Sequence, residues 1–323
     1  MKLDVVVPVS PNEPLSLVER SFESLSKLER GDLNVRMTYV IDVAGEDPRV
    51  EFLQAKNVNV IVRHSRRGRR AGAINDALDS IGETDYLAFF DVDSRPEKNF
   101  LIECIKALGD GAVIASAPRY ITNPLASITT RIVAAEYALM SDLYRLLERC
   151  DGFKQFNGLI SVLDARIFTD RRLNEDATCE DVDLMQQFYL EGKTAVLVDT
   201  TRVGEQAPIS TKDYYHQRVR WLTGAYEGLK NVAKFKRVKI PMSRKITWFS
   251  AMIIPFFIFL FSPIVLLYGI RLWRLSDDTM DFTIKLFGLI VHAWILQICG
   301  LIVLFRQLFN MGVKWKEMRR SNV

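Results

Sequence analysis

Apolar and polar positions divide the chain into two unlike stretches. Over the first 229 residues, short apolar runs recur at Leu3–Val9, Met37–Val43, Val58–Val62, Tyr86–Phe90 and Ala112–Ala117. Each has the length of a strand. Polar or helix-like segments separate them, beginning with the turn Ser10-Pro11-Asn12-Glu13 and a helix predicted over Leu15–Leu28. That alternation predicts an α/β domain built on a mainly parallel sheet.

Beyond residue 229 the pattern changes. Ile246–Ile270 runs for 25 residues, and Leu286–Phe305 for another 20, without Asp, Glu, Lys or Arg. Each is near the length that crosses a hydrocarbon core of about 30 Å. The pattern predicts a transmembrane helical hairpin, with Pro255 and Pro263 kinking the first span or making it re-enter; helices buried in a soluble protein are the alternative. Lys230, Lys234, Lys236, Arg237, Lys239, Arg244 and Lys245 precede the first span, and Arg306, Lys314, Lys316, Arg319 and Arg320 follow the second. Both outer flanks therefore read as cytoplasmic, and Trp248, Trp273 and Trp315 fall near span ends, where amphipathic rings favour the interface. The expected organisation is a soluble domain over 1–229, a basic interfacial segment over 230–245 in which Pro241 ends any helix, two spans within 246–306, and a basic tail over 307–323.

Composition adds little to this division. An apolar share of 49% and a charged share of 25% are ordinary for a folded chain, and a net charge of +4 does not by itself imply a nucleic-acid partner. Cys104, Cys150, Cys179 and Cys299 lack CxxC spacing, which argues against a zinc site or disulfide framework and fits a reducing cytosol. Met1-Lys2-Leu3-Asp4 leads into a short run broken by Pro8 rather than into a signal peptide, so the N-terminus is expected in the cytoplasm.

Candidate chemistry begins where the run Tyr86–Phe90 ends. A buried strand here delivers Asp91 and Asp93 at its carboxyl end, where open α/β sheets place their ligand crevice. Two carboxylates at i and i+2 can converge on one hard cation whose other ligands are diphosphate oxygens; an ordinary surface turn is the alternative. Glu180, Asp181 and Asp183 precede Leu184, Phe188 and Leu190, as acids do in the first turn of a helix. Tyr214–Trp221 puts two arginines and an indole on a predicted helix, suited either to a membrane interface or to phosphate oxygens and a sugar face. His64 and His292 show no ligand spacing.

Val5–Glu13, Asp42, the run Arg66–Asn75, Asp91-Val92-Asp93, Cys179–Leu184 and Gln217-Arg218-Val219-Arg220-Trp221 occur in the order found in family 2 glycosyltransferases. Over residues 1–229 the chain closely resembles that family. It is most similar to the membrane-bound branch with the Gln-x-x-Arg-Trp motif, which contains the cellulose, chitin and hyaluronan synthases and the ceramide glucosyltransferases. The resemblance implies a GT-A type, Rossmann-like nucleotide-sugar-binding domain ahead of the hairpin. It also implies that Pro8, Ser10 and Glu13 line the nucleotide pocket, that Asp42 contacts the base, and that Arg70 stands where the family often has a lysine near the nucleotide. Asp91 would bind the nucleotide side of the donor and share with Asp93 a Mg2+ or Mn2+ ion. Asp181, beside Glu180, would be the general base, and the charges of Glu180 and Asp183 would favour its taking a proton. Gln217, Arg218, Arg220 and Trp221 would face the active site, the arginine side toward the diphosphate and the indole toward the acceptor. Phe156-Asn157-Gly158 resembles an acceptor-side loop, with Leu159 in place of a small polar residue, and Cys179 replaces a usual threonine.

The activity so implied is an inverting, metal-dependent transfer from a UDP-sugar to a lipid-linked or glycan acceptor. It would take place at the cell membrane among membrane lipids, with the catalytic domain and both termini cytoplasmic. A processive polysaccharide synthase is the near alternative, but one hairpin cannot wall a pore, so a homo-oligomer or a partner would have to supply further helices. A non-catalytic nucleotide-sugar-binding protein predicts damage among the carboxylates, whereas Asp91, Asp93 and Asp181 are all present. Val9-Ser10-Pro11-Asn12-Glu13 lacks the glycines of a dinucleotide-binding turn.

Overall fold

The computed structural model describes residues 1–43, 45–109, 112–309 and 311. In chain order the first elements are β1 (Lys2–Val9), α1 (Leu15–Ser26), β2 (Asn34–Asp42), α2 (Pro48–Ala55), β3 (Asn59–Arg63), α3 (Arg69–Ser80), β4 (Tyr86–Phe89) and β5 (Arg95–Pro96). There follow α4 (Phe100–Ala107), β6 (Ala112–Ser116), β7 (Arg119–Ile121), α5 (Ile128–Arg149), β8 (Ser161–Asp164), α6 (Glu180–Leu190), β9 (Thr194–Leu197) and β10 (Val203–Glu205). The chain continues as α7 (Thr211–Leu229), α8 (Val232–Arg237), α9 (Met242–Ile253), α10 (Ile264–Leu267), α11 (Gly269–Arg274) and α12 (Thr279–Leu308). Two compact units result: residues 1–118 with 154–205, and residues 119–153 with 206–309.

The first unit is built on a seven-stranded sheet in the order β3-β2-β1-β4-β8-β6-β9. All five strands expected from the sequence are present. β1 pairs in parallel with β2 and β4, and β2 with β3, so their carboxyl ends lie along one edge. The sheet is mainly parallel, as expected, and is mixed only because β8 enters antiparallel between β4 and β6, with β6 and β9 again paired in parallel. Val5, Val6, Val7 and Val9 are buried, the continuous apolar reading of a strand covered on both faces. Val5, Val7 and Val9 share a core with Leu17, Val18 and Leu25 of α1 and Phe100 and Leu101 of α4.

Strand order positions the site. The chain moves outward from β1 to β2 and β3, then returns to the other side of β1 as β4. The β1–β4 ladder stops at Val6 and Phe89, whereas β1 stays paired with β2 as far as Val9 and Ile41. A crevice at the carboxyl ends of the strands is expected at such a reversal.

The second unit is helical. Ser127 caps α5 through the Thr130 N–H, and Thr130 returns a bond to the Ser127 N–H. Val133 and Tyr137 of α5 pack with Tyr214 of α7 and Ile295 of α12. A Cβ on Gly288 of α12 would fall 2.5 Å from the Ile132 side chain, so the glycine permits the close approach of α12 to α5. Residues 119–153 and 206–229, expected to belong to the soluble domain, therefore pack with the C-terminal helices. Apolar faces decide this grouping, and linear order does not.

Of the two expected spans, the second lies within the 30-residue α12, the one described helix long and apolar enough to cross a membrane. The first does not form a continuous helix. After α9 the chain breaks into single helical turns at Ile254–Phe256 and Ile258–Phe261 before α10 and α11. Pro255 and Pro263 lack the N–H and crowd the preceding turn, which is enough to break a helix. A hairpin of two continuous spans is thus not what the segment forms. Phe287, Val291, Trp294, Ile298, Leu301, Phe305 and Leu308 make an exposed apolar stripe along α12. In the basic segment, α8 ends before Pro241 as expected and its lysines are exposed, but Phe235 is buried and stacks on Trp248 at 3.9 Å. Trp248 is therefore interior rather than interfacial, whereas Trp273 is exposed. Trp315 and the basic residues from Lys314 to Arg320 fall outside the described residues.

Candidate active site

Two buried arginines organise the strand ends of the first unit. Arg49, in the first turn of α2, donates to the carbonyls of Ser10 at 2.8 Å and Glu13 at 2.9 Å. It also grips the Asp47 carboxylate, whose Oδ1 caps α2 through the Arg49 N–H at 2.9 Å. The turn carrying Ser10 and Glu13 is so tied to the loop after β2. Arg63 ends β3 as the register partner of Asp42 and forms ion pairs with Asp42 at 3.2 Å and Asp76 at 2.8 Å. It also donates to the backbone carbonyls of Arg67 and Arg69 ahead of and at the start of α3. Neither arginine is among the sequence-predicted site residues. The available signals were Asp47-Pro48, a cap followed by a first-turn proline, and a basic residue closing an apolar run.

The segment before α3 is shaped by backbone constraints. Gly68 has φ of 61° and Arg69 of 51°, so the chain enters the helix through two left-handed residues. A Cβ on Gly72 would lie 2.0 Å from the Arg67 carbonyl oxygen, which leaves no room for any other residue there. Asn75 is buried and exchanges hydrogen bonds with the backbone of Leu173, and Arg67 pairs with Asp76 and Glu175. The loop is thereby clasped against residues 173–175, and Arg70 emerges from it in a set direction.

Arg70 gathers the acids that the sequence could only set in order. Its Nε donates to Asp91 Oδ1 at 2.7 Å and its Nη1 to Glu180 Oε1 at 2.9 Å, while Nη2 donates to the Gly158 carbonyl. Burial opposes its charge, but Asp91, Glu180 and Asp181 outweigh that and hold the guanidinium above its ordinary value. Asp91 opens a turn in which its N–H donates to Ser94 Oγ at 3.0 Å and Arg95 donates to the carbonyls of Val92 and Ser94. Asp93 of that turn is buried. Asp181 sits in the first turn of α6, so the helix-start reading of its acids holds in the structure; its Oδ1 takes the Val182 N–H and its Oδ2 the Gly158 N–H. Gly158 thus serves both Arg70 and Asp181, a juxtaposition the sequence did not signal.

The Gln-x-x-Arg-Trp residues lie on α7 in the second unit. Gln217 and Arg218 are buried, and Arg220 and Trp221 are partly so. Arg218 forms two parallel hydrogen bonds with Glu136 of α5 and lies over the rings of Tyr214 and Trp221, at 4.7 and 4.2 Å. Burial opposes its charge and Glu136 restores it, so that it too titrates above its ordinary value. The sequence reading turns Arg218 toward the diphosphate; in the structure a carboxylate already fills its fork. Gln217 Oε1 is buried with no hydrogen-bond partner among the described residues.

A divalent ion is tested against these donors. Among the described residues no cluster of three His, Cys, Asp or Glu side chains is arranged to hold a metal. Asp91 and Asp93 remain two hard carboxylates in one turn. That donor set fits Mg2+ or Mn2+, which bind through one or two carboxylates, with water and phosphate oxygens completing the shell.

The fold is shared with solved structures. The mannosyltransferase PcManGT from Pyrobaculum calidifontis, in complex with GDP-Man and Mn2+, superposes with a TM-score of 0.64 at 16% identity, covering 96% of this chain and 88% of that one. Residues 1–349 of S. aureus TarS give 0.53 at 12% identity, covering 96% and 92%. The mixed sheet and these neighbours define a GT-A-like α/β protein. The chain belongs to the family described as glycosyl transferase family group 2, whose profile matches residues 86–306; that of glycosyl transferase family 2 matches residues 4–156. It is similar to the probable glucomannan 4-beta-mannosyltransferase 3 of Oryza sativa subsp. japonica, 30% identical over 183 residues, which is 53% of this chain and 32% of that protein. Glucomannan 4-beta-mannosyltransferase 7 of Arabidopsis thaliana is 27% identical over 195 residues, 55% of this chain and 33% of that protein. The chain therefore spans about a third of the length of these curated relatives.

Proposed function

We propose that the protein catalyses an inverting, metal-dependent transfer of a hexose from a nucleotide-diphosphate sugar to a glycan or lipid-linked acceptor. The observation that carries this is the meeting of Asp91, Glu180 and Asp181 around Arg70 and Gly158 at the reversal of the sheet. Pro8, Ser10, Glu13 and Asp42 border the nucleotide, in a frame held by Arg49 and Arg63. Asp91 and Asp93 would hold the Mg2+ or Mn2+ ion, which when bound neutralises charge on the departing diphosphate. Asp181 accepts the proton of the attacking hydroxyl from a rigid helix start. The resemblance of their motif assigns Gln217, Arg220 and Trp221 to the diphosphate and the acceptor, with Arg218 fixing the helix that carries them.

The relatives' names favour mannose as the hexose and a glycan as the acceptor. The nucleotide expected from the sequence is uridine, while PcManGT holds GDP-Man, so donor identity is the first quantity to measure. A membrane location is supported by the exposed stripe on α12, by the broken apolar segment before it, and by the exposed Lys230, Lys234, Lys236 and Lys239. The catalytic unit is assigned to the cytoplasmic side, and the chain enters the membrane more than once through α12 and that segment. Homo-oligomerisation, or a partner that supplies further helices, belongs to the same proposal for the case of a polymer synthase.

The test is purified protein in detergent with Mn2+ or Mg2+, a panel of GDP-mannose, UDP-glucose and UDP-N-acetylglucosamine, and oligosaccharide acceptors. Release of nucleoside diphosphate with one donor, abolished by a chelator, is expected. No release from any donor in the presence of membrane extract would sink the reading.

A further inference from the structure

Arg70 is a cation placed among the carboxylates that the proposed reaction needs for another cation. Its three groups of donors go to Asp91, to Glu180 and to the Gly158 carbonyl. The Gly158 N–H goes to Asp181, the residue assigned as base. Gly158 and Leu159 have φ of 59° and 48°, and a left-handed conformation is costly for leucine. A Cβ on Gly158 would stand 3.1 Å from Asp91 Oδ2, so the loop is packed directly against that carboxylate. One side chain therefore ties the donor carboxylate, the acid pair of α6 and a strained loop into one assembly.

We propose that Arg70 is an internal counter-cation that exchanges places with the divalent ion when the nucleotide diphosphate binds, and that this exchange releases Gly158 from Asp181. The proposal rests on the reading of Asp91 and Asp93 as the donor-side carboxylates. A divalent ion at Asp91 is repelled by a guanidinium bonded to the same carboxylate, so metal alone binds weakly. A diphosphate relieves the repulsion, because its oxygens suit the planar fork of arginine at least as well as a carboxylate does. Once Arg70 turns to the diphosphate, the Gly158 carbonyl loses its donor, and the loop no longer has its hold on both sides. Asp181 is then uncovered for an acceptor hydroxyl only after the donor is in place. A lysine has its three donors on one nitrogen and could serve Asp91, Glu180 and Gly158 only if all three acceptors closed around that atom, whereas the arginine reaches them from three nitrogens.

The experiment measures free Mn2+ by electron paramagnetic resonance with the full chain in detergent, comparing the wild type with Arg70→Gln, without nucleotide and with GDP or UDP. Without nucleotide the variant is expected to bind Mn2+ at least about a hundredfold more tightly, the scale set by the repulsion of two unit charges about 6 Å apart at an effective dielectric of about 20. With nucleotide the wild type gains affinity and the advantage of the variant disappears. Equal or weaker Mn2+ binding by Arg70→Gln without nucleotide overturns the exchange. Binding of Mn2+ by neither protein under any condition removes the metal-dependent reading as well, so the two failures are distinct. Should the variant not fold, hydrogen exchange on the wild type decides: the peptide over residues 155–161 exchanges faster with Mn2+ and nucleotide together than with either alone, and an unchanged rate overturns the release of Gly158.

Discussion

Glu136 on α5 accepts two parallel hydrogen bonds from Arg218 on α7, at 2.7 and 2.6 Å, and the pair is buried. Planar fork meets planar carboxylate, and the rings of Tyr214 and Trp221 cover the guanidinium. On a helix, Tyr214 and Trp221 stand four residues before and three after Arg218, so all three share one face. The pair fixes the rotation of α7 and with it the direction of Gln217 and Trp221.

Removing one partner leaves a buried charge alone. Glu136→Ala is expected to destabilise the protein by about 3–5 kcal/mol, and the double replacement Glu136→Leu with Arg218→Met to recover most of that loss. Thermal unfolding in detergent distinguishes the two; equal losses in the single and double variants would show that the pair is not the cause.

Asp181→Asn keeps the shape of the side chain and its bond from the Gly158 N–H, but it cannot take a proton. Turnover is expected to fall by about 10²–10⁴-fold, with nucleotide diphosphate binding unchanged by calorimetry. Full activity would exclude Asp181 as the base.

Gly72→Ala places a methyl group 2.0 Å from the Arg67 carbonyl oxygen, a backbone atom that cannot swing aside. A loss of about 1–3 kcal/mol is expected, together with weaker donor binding as Arg70 shifts. An unfolding midpoint equal to that of the wild type would show that the loop gives way without cost.

The Arg49 guanidinium beside Asp47, aided by the Arg49 N–H and opposed by burial, holds that carboxyl below its ordinary value. Since the folded value lies under the unfolded one of about 3.9, this contribution is complete above pH ~4 and is lost as pH falls through the folded value. Asp47→Asn is expected to lower the urea midpoint at pH 7 and to close the gap to the wild type in acid. A gap that stays constant with pH would assign the loss to packing alone.

Local pattern carried much of this protein. The runs at Val5–Val9 and Tyr86–Phe90 read as buried strands because each is a short apolar stretch of strand length, and Asp91 and Asp93 follow directly because a strand presents its next residues at its own end. Acids opening α6 and the prolines that break the chain at 255 and 263 act within one helical turn, so they too were readable. Tertiary structure decided what depends on partners far along the chain. β8 is a four-residue run whose place between β4 and β6 comes from pairing at both edges. Arg70 meets Glu180 across 110 residues, and Arg218 meets Glu136 across 82. An arginine's sequence neighbours do not say which buried carboxylate it will neutralise, because that choice is made by desolvation and geometry once the sheet and the helices have packed.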